Sequence, residues 1–351
     1  MKEEYGDEYQ TTFNSNKLIQ YLDYKMGAID GDSKSRRSLG NIYAIYSITH
    51  FYSEDFIEDP ETYKLFPGYE FTKLFYFCRS LYGGEKLQNH ALNSRVNGEF
   101  INKFPDEVEP IVIDNGKYSL HINYLYSNGK DTSKAINRII EKYIEILIEK
   151  DSTLMRTIEE LSIIKDTVVK KEKIKEMLNS KTEARVFEII SYAVLKNHYR
   201  GISIIIGDNM ESLRTEYLTL YKTGRTNAND GGIDFVMRPL GRFFQVSEVG
   251  SYNKYFLDMD KVLHFPITFV IKTEKAVKEI QDDFDFYIHK KSGGMKTLEE
   301  RYKSAIEEII TINELRVWIN FMSAEHVDNI LKDIEVYYKY EMNCGSQFFL
   351  D

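Results

Sequence analysis

The sequence predicts an α/β chain with α+β elements: a mainly helical N-terminal region, then a mixed central sheet flanked by helices. Three observations carry this. Up to about residue 180 apolar residues recur at helical spacing, most clearly Ile136, Ile139, Ile140, Tyr143, Ile144 and Leu147. Beyond it stand short β-branched runs, Ile202–Ile206 and Ile267–Ile271. Between those runs, Ile233–Met237 and Arg242–Val246 are two apolar segments joined by Arg-Pro-Leu-Gly, a turn sequence.

Taken in order, Leu39–Tyr52 predicts a helix, with Leu39, Ile42, Tyr43 and Tyr46 on one stripe. Phe71–Leu81 predicts a second, ended by Gly83-Gly84. Ile111–Ile113 and Tyr118–Tyr126 predict a hairpin around Asn115-Gly116, a pair suited to positive φ. Ser133–Lys150 is the strongest amphipathic helix, and charged helical patterns run on to about Ser180. Thr182–Tyr199 predicts a helix, Ile202–Ile206 a buried strand, and Ile267–Ile271 another. Lys296–Ile312 and Ala324–Tyr338 predict the closing helices. The expected division is 1–150, a recognition and dimerisation region; 151–180, a helical connector; and 181–351, the domain that carries chemistry.

The totals exclude some classes. Hydrophobic residues are 42% of 351 and mean hydropathy is −0.42, so cores can form, and no apolar run reaches the ~18 residues of a membrane span. The N-terminus is acidic and polar, unlike a secretory signal. Cys78 and Cys344 make neither a disulfide framework nor a metal spacing, so a reducing cytoplasm is expected. The net charge of −9 is unevenly spread. Lys181–Lys272 holds twelve Lys and Arg against ten Asp and Glu, net +2, which leaves −11 for the rest. Nucleic-acid binding is therefore permitted in that segment.

The chemistry concentrates in Thr226–Glu248. Asn229-Asp-Gly-Gly is a turn signal, and the strand after it carries Asp234 inside an apolar run. A carboxylate there is costly unless paired or bound to a metal. Gln245 follows eleven residues later, again between apolar neighbours, and a twisted hairpin can bring both to one end of a sheet. Such a group suits Mg²⁺, which takes oxygen ligands, keeps several waters and binds one or two carboxylates plus a phosphate. A further acid can come from a helix under the sheet. Glu183 shares the stripe of Phe187, Ile190 and Val194 and is the preferred residue, whereas Glu188 lies about 140° away and is its rival.

A helix glutamate, then Gly-Gly-Ile-Asp234, then Gln245-Val-Ser247 resembles the PD-(D/E)xK nuclease fold, and more narrowly the type II restriction endonucleases, over about 90 residues. The resemblance implies Asp234 as central metal ligand, Gln245 in the (D/E/Q) position, Glu183 as helix acid, and a main-chain oxygen near Val246 as a further ligand. The chain departs from the pattern at Ser247, where the family usually has Lys. Lys254 could supply the missing cation, or Glu248 a second metal ligand. A decayed, non-catalytic relative would also fit that departure, and a structure-selective repair or junction nuclease is the alternative within the class.

Contacts to DNA are expected from side chains suited to base edges, Gln88, Asn89, His90, Asn93, Arg95 and Asn97, and from Arg36, Arg37, Arg225, Asn227 and Asn229. The resemblance implies Mg²⁺-dependent cleavage of double-stranded DNA at a short site by a homodimer, with a protective DNA methyltransferase encoded beside it.

Overall fold

The computed structural model describes residues 6–27, 39–55, 59–85, 92–127, 129–223, 233–248 and 252–342, with the single residues 2, 87 and 250. The chain divides into two compact units, Met1–Leu154 and Met155–Asp351. Among the described residues no helix is long and apolar enough to cross a membrane.

The first unit contains helices α1 (Tyr9–Ser15), α2 (Lys17–Met26), α3 (Leu39–Asp55) and α4 (Pro60–Tyr63), strand β1 (Tyr69–Glu70), helices α5 (Phe71–Ser80) and α6 (Ser94–Lys103), strands β2 (Ile111–Asp114) and β3 (Lys117–Leu120), the short helix α7 (Ile122–Leu125), and the pair β4 (Tyr126–Ser127) and β5 (Lys130–Asp131). Helix α8 (Ser133–Ile163) crosses the division. The core is aromatic: Tyr21, Tyr43, Tyr52 and Phe100 are buried together with Ile42, Ile45, Ile136 and Ile140. Asn16 starts α2 by accepting from the amides of Leu18 and Ile19. The β2–β3 turn uses Asn115 and Gly116 at φ 48° and 78°, as two-residue hairpins require. The strand expected to run to Tyr126 stops at Leu120, because α7 interrupts it.

The second unit continues with α9 (Thr167–Met177), α10 (Ala184–His198), strands β6 (Ser203–Ile206), β7 (Arg214–Tyr217), β8 (Thr219–Lys222), β9 (Phe235–Arg238) and β10 (Arg242–Glu248), helix α11 (Tyr252–Lys261), strand β11 (Ile267–Lys272), helices α12 (Val277–Ser292) and α13 (Lys296–Ser304), strand β12 (Ile306–Thr311), and helices α14 (Ile312–Phe321) and α15 (Ala324–Met342). Its architecture is mixed α/β. The central sheet runs β12-β11-β10-β9-β8, parallel from β12 to β10 and antiparallel from β10 to β8. Helix α10 covers one face, where Tyr192 meets Phe235 at 5.1 Å and Tyr199 meets Phe244 at 6.2 Å between ring centroids. On the other face Phe269 packs on Tyr255 of α11 and Phe284 of α12.

Two expectations need correction here. Ile202–Ile206 is not a buried strand of the central sheet: β6 pairs only with β7 in a separate hairpin, and Ile205 is 71% exposed. The helix expected over Lys296–Ile312 ends at Ser304, and Ile306–Thr311 is the edge strand β12. Ile306, Ile309 and Ile310 satisfy helical spacing, but pairing with β11 and the β-branched side chains decide for the strand. Helices α11 and α12 and strands β7 and β8 had no counterpart in the sequence reading.

Candidate active site at the mouth of a hairpin

Strands β9 and β10 pair in register from Arg242↔Met237 to Phe244↔Phe235. One residue before β9 the regular ladder ends at Asp234. Its N–H donates to Phe244 O at 3.0 Å, and its carboxylate Oδ2 accepts the N–H of Val246 at 2.7 Å. The side chain has thus replaced a main-chain acceptor, which fixes the carboxylate against β10. The N–H and hydroxyl of Thr223, just past β8, both donate to Asp234 O. Asp234 is held between the end of β8 and strand β10.

The helix opposite supplies charge. Arg185 Nη1 lies 2.7 and 2.6 Å from the two carboxylate oxygens of Glu188, one helical turn on. Lys222, the last residue of β8, brings its Nζ within 2.9 Å of the same carboxylate. Lys222 and Glu188 are only 13% and 15% exposed at the side chain, so this pair is weakly screened. Burial, and then the negative charge of Glu188, push the Asp234 carboxyl up to about 7, against the opposing pull of the Val246 N–H, Arg185 and Lys222. Two acids and two bases from α10, β8 and the start of β9 therefore form one electrostatic group.

The other expected residues lie around this group. Glu183 stands at the N-cap of α10, where its side chain makes no capping bond. Glu188, the rival acid, is the one whose charge raises the Asp234 carboxyl, and it lies on a helix that is buried over most of Val186–Leu195. Gln245 is buried on β10; its Nε2 reaches Val246 O at 3.4 Å, and its Oε1 is buried with no hydrogen-bond partner. Ser247 is also buried. Glu248 is exposed at the end of β10 and paired with Lys272, whose Nζ also donates to Thr182 O at 2.8 Å. Lys254 is exposed on α11, and its charge bears on Asp258. The cations whose charge opposes the rise of the Asp234 carboxyl are Arg185 and then Lys222. Sequence reasoning missed Lys222 because nothing local marks it; Arg185 was visible only as the i,i+3 neighbour of Glu188.

Of the residues expected to meet DNA, Arg36, Arg37, Gln88, Asn89, His90, Arg225, Asn227 and Asn229 lie outside the described residues. Asn93 is the N-cap residue of α6, and Arg95 is exposed and paired with Glu99 at 3.0 Å. Asn97 is corrected. It is buried, donates to Glu109 and Ile111 O, and accepts from Ile111 N, so its amide ties α6 to β2 and offers nothing to a base edge.

Among the described residues no three His, Cys, Asp or Glu converge to form a metal cage. Burial first, and then the charge of Glu188, raise the Asp234 carboxyl, and a further positive charge at that point would lower it. A Mg²⁺ ion, which takes one or two carboxylates, waters and a phosphate, would not require a third such side chain. No protein-family model, curated protein or solved structure matches the chain.

Proposed function

We propose that the protein is a Mg²⁺-dependent endonuclease that cuts double-stranded DNA at a short specific site, a type II restriction enzyme with a PD-(D/E)xK core. One observation carries the reading: Asp234, half-buried at the mouth of the β9–β10 hairpin, in the field of the Glu188, Arg185 and Lys222 group. A bound Mg²⁺ would supply a water of lowered pKa and charge neutralisation at the scissile phosphate. Asp234 and Glu188 would hold it, with the Val246 amide locking the Asp234 carboxylate in place. Lys222, now paired with Glu188, would be held less tightly once that carboxylate was shared with Mg²⁺, and it would be the positive group for the phosphate, the part that Ser247 cannot play.

The test is cleavage of supercoiled plasmid with Mg²⁺ or Mn²⁺, wild type against Asp234→Ala. Mapped ends at one constant sequence support restriction, and ends at junctions or flaps support a repair nuclease. Intact plasmid with wild type under both ions sinks the enzyme reading.

A second reading is a DNA-binding module on a decayed nuclease core. It is favoured by the full pairing of Glu188 with Arg185 and Lys222. Calorimetric titration separates the two, since a decayed site gives no Mg²⁺ or Mn²⁺ heat that depends on Asp234.

A further inference from the structure

Strands β6 and β7 form a two-stranded sheet of their own. Leu218 N–H donates to Ile202 O at 2.8 Å, which makes those two a hydrogen-bonded pair. Antiparallel ladders alternate from such a pair. Ile204 and Ile206 therefore turn their main-chain groups toward β7, and Ser203, Ile205 and Gly207 turn theirs outward. Among the described residues no backbone hydrogen bond closes that outer edge.

The other edge strands of the second unit carry charge. Strand β12 has Glu307 and Glu308, β7 has Arg214 and Glu216, and β8 ends in Lys222. Charge on an edge is the ordinary defence against pairing with another chain. Gly201–Gly207 reads Gly-Ile-Ser-Ile-Ile-Ile-Gly and carries none. Ile205 is 71% exposed, and Tyr217, on the same face of the hairpin, is 66% exposed. DNA does not fit this ribbon: Asp208, Glu211 and Glu216 outweigh Arg214, and phosphate would be repelled.

We propose that β6 is a homodimerisation edge, paired antiparallel with β6 of a second copy about a two-fold axis at Ile205. In that register each outward-turned residue meets another: Ile205 faces its own counterpart and Ser203 faces Gly207. About six main-chain hydrogen bonds then join the copies into a four-stranded sheet. Asp208 falls opposite Ile202, so no like charges meet across the seam. An edge this short buries less than the ~1,200–2,000 Å² of a standard interface, so the dimer forms reversibly with concentration. The proposal gives the two-fold symmetry of the restriction reading a place on the molecule, but it does not depend on metal, DNA or cleavage.

The experiment is sedimentation velocity of the full chain across a concentration series, without DNA or metal. Wild type should pass from 41.2 kDa to twice that mass. Ile205→Pro removes an outward N–H and leaves the β6–β7 ladder intact, so it should weaken association at least about ten-fold with unchanged circular dichroism. Ile205→Lys sets two ammonium groups opposite each other and should do the same. Hydrogen exchange at the Ile205 amide of wild type should slow as concentration rises, a readout that needs no variant. Wild type that stays monomeric overturns the proposal, and so does a dimer unaffected by both folded variants or an Ile205 amide whose exchange ignores concentration. Because no arm uses DNA, these failures would leave the nuclease reading untouched.

Discussion

The two units treat their buried polar groups differently. In the first unit the buried amides sit in nearly closed circuits. Asn16 caps α2 with its oxygen and gives its nitrogen to Tyr124 O. Asn137 gives its nitrogen to Thr49 O and Ser53 Oγ and accepts from Thr49 Oγ1. Asn97 exchanges bonds in both directions with Ile111, and only Asn41 Oδ1 breaks the pattern. In the second unit, among the described residues, the orphaned buried atoms are more numerous, on Ser191, Gln245, Ser247, Asp258, His264 and Asn329, and two of these residues lie on β10. Gln245 Oε1 and Asp258 Oδ2 are buried without partners, and Asp234 is held against the charge of Glu188. A satisfied network adds rigidity, whereas an unsatisfied buried group costs free energy that folding alone does not explain. The difference teaches where to look for chemistry: the group that the fold leaves short is the group that something else completes.

The sharpest way to break the comparison is Asp234→Ala. If Asp234 is held for catalysis, plasmid cleavage should fall by about 10³-fold or more, which is about 4 kcal/mol of barrier. Thermal melting of the same variant without metal should rise or hold, since a half-buried carboxylate in the field of Glu188 has been removed. A large drop in melting temperature would make Asp234 a structural residue like those of the first unit.

The next largest effect is on pH dependence. The Asp234 carboxyl is raised to about 7 in the folded chain and sits near 3.9 when unfolded. Between these values the folded state holds the extra proton, so stability is greatest below about pH 4 and falls as pH climbs through 7. Its coupling to Glu188 and partial exposure set the loss at about 2–4 kcal/mol. Urea unfolding in EDTA from pH 5 to 8 should show the fall, and Asp234→Asn should flatten it. Added Mg²⁺ should flatten it too.

Asn97→Ala tests the first unit. It leaves the N–H and C=O of Ile111 unpaired in the core and should cost about 2–3 kcal/mol in urea unfolding. DNA affinity measured well below the unfolding midpoint should stay the same. An Asn97 that faced DNA would give the reverse: an unchanged unfolding curve and weaker binding.

What the sequence made legible follows from where the information sits. The Ser133 helix, the β9–β10 hairpin and the β11 strand depend on local spacing, and the structure contains all three. Asp234 stood out because an acid in an apolar strand is rare for a local reason. In strand β12, Ile306, Ile309 and Ile310 recur at helical spacing, and only pairing with β11 makes the segment a strand. Strand β6 was read as buried because its isoleucines imply a core, and exposure is a tertiary fact. Glu183 and Glu188 both belong to a helix that is buried over most of its length, so spacing alone does not rank them. Lys222 joins the site across thirty-four residues from Glu188, a pairing no window of sequence can display.

The smallest expected effect asks whether the shortfall on β10 is purposeful. Gln245→Met keeps the length of the side chain and removes the orphaned oxygen. Replacing a buried, unsatisfied polar group with an apolar one of similar shape is neutral or stabilising, here by about 1 kcal/mol at most. If that were all, Gln245 would be a minor fault in the core and the variant would cut DNA as wild type does. If instead the oxygen is kept for the cation or its waters, the variant gains stability while Mg²⁺ affinity falls about ten-fold. Calorimetry and melting on one preparation read both numbers. A variant that loses stability and keeps its metal affinity would place Gln245 with Asn97 and Asn137, and the contrast between the units would narrow to Asp234 and its charged neighbours.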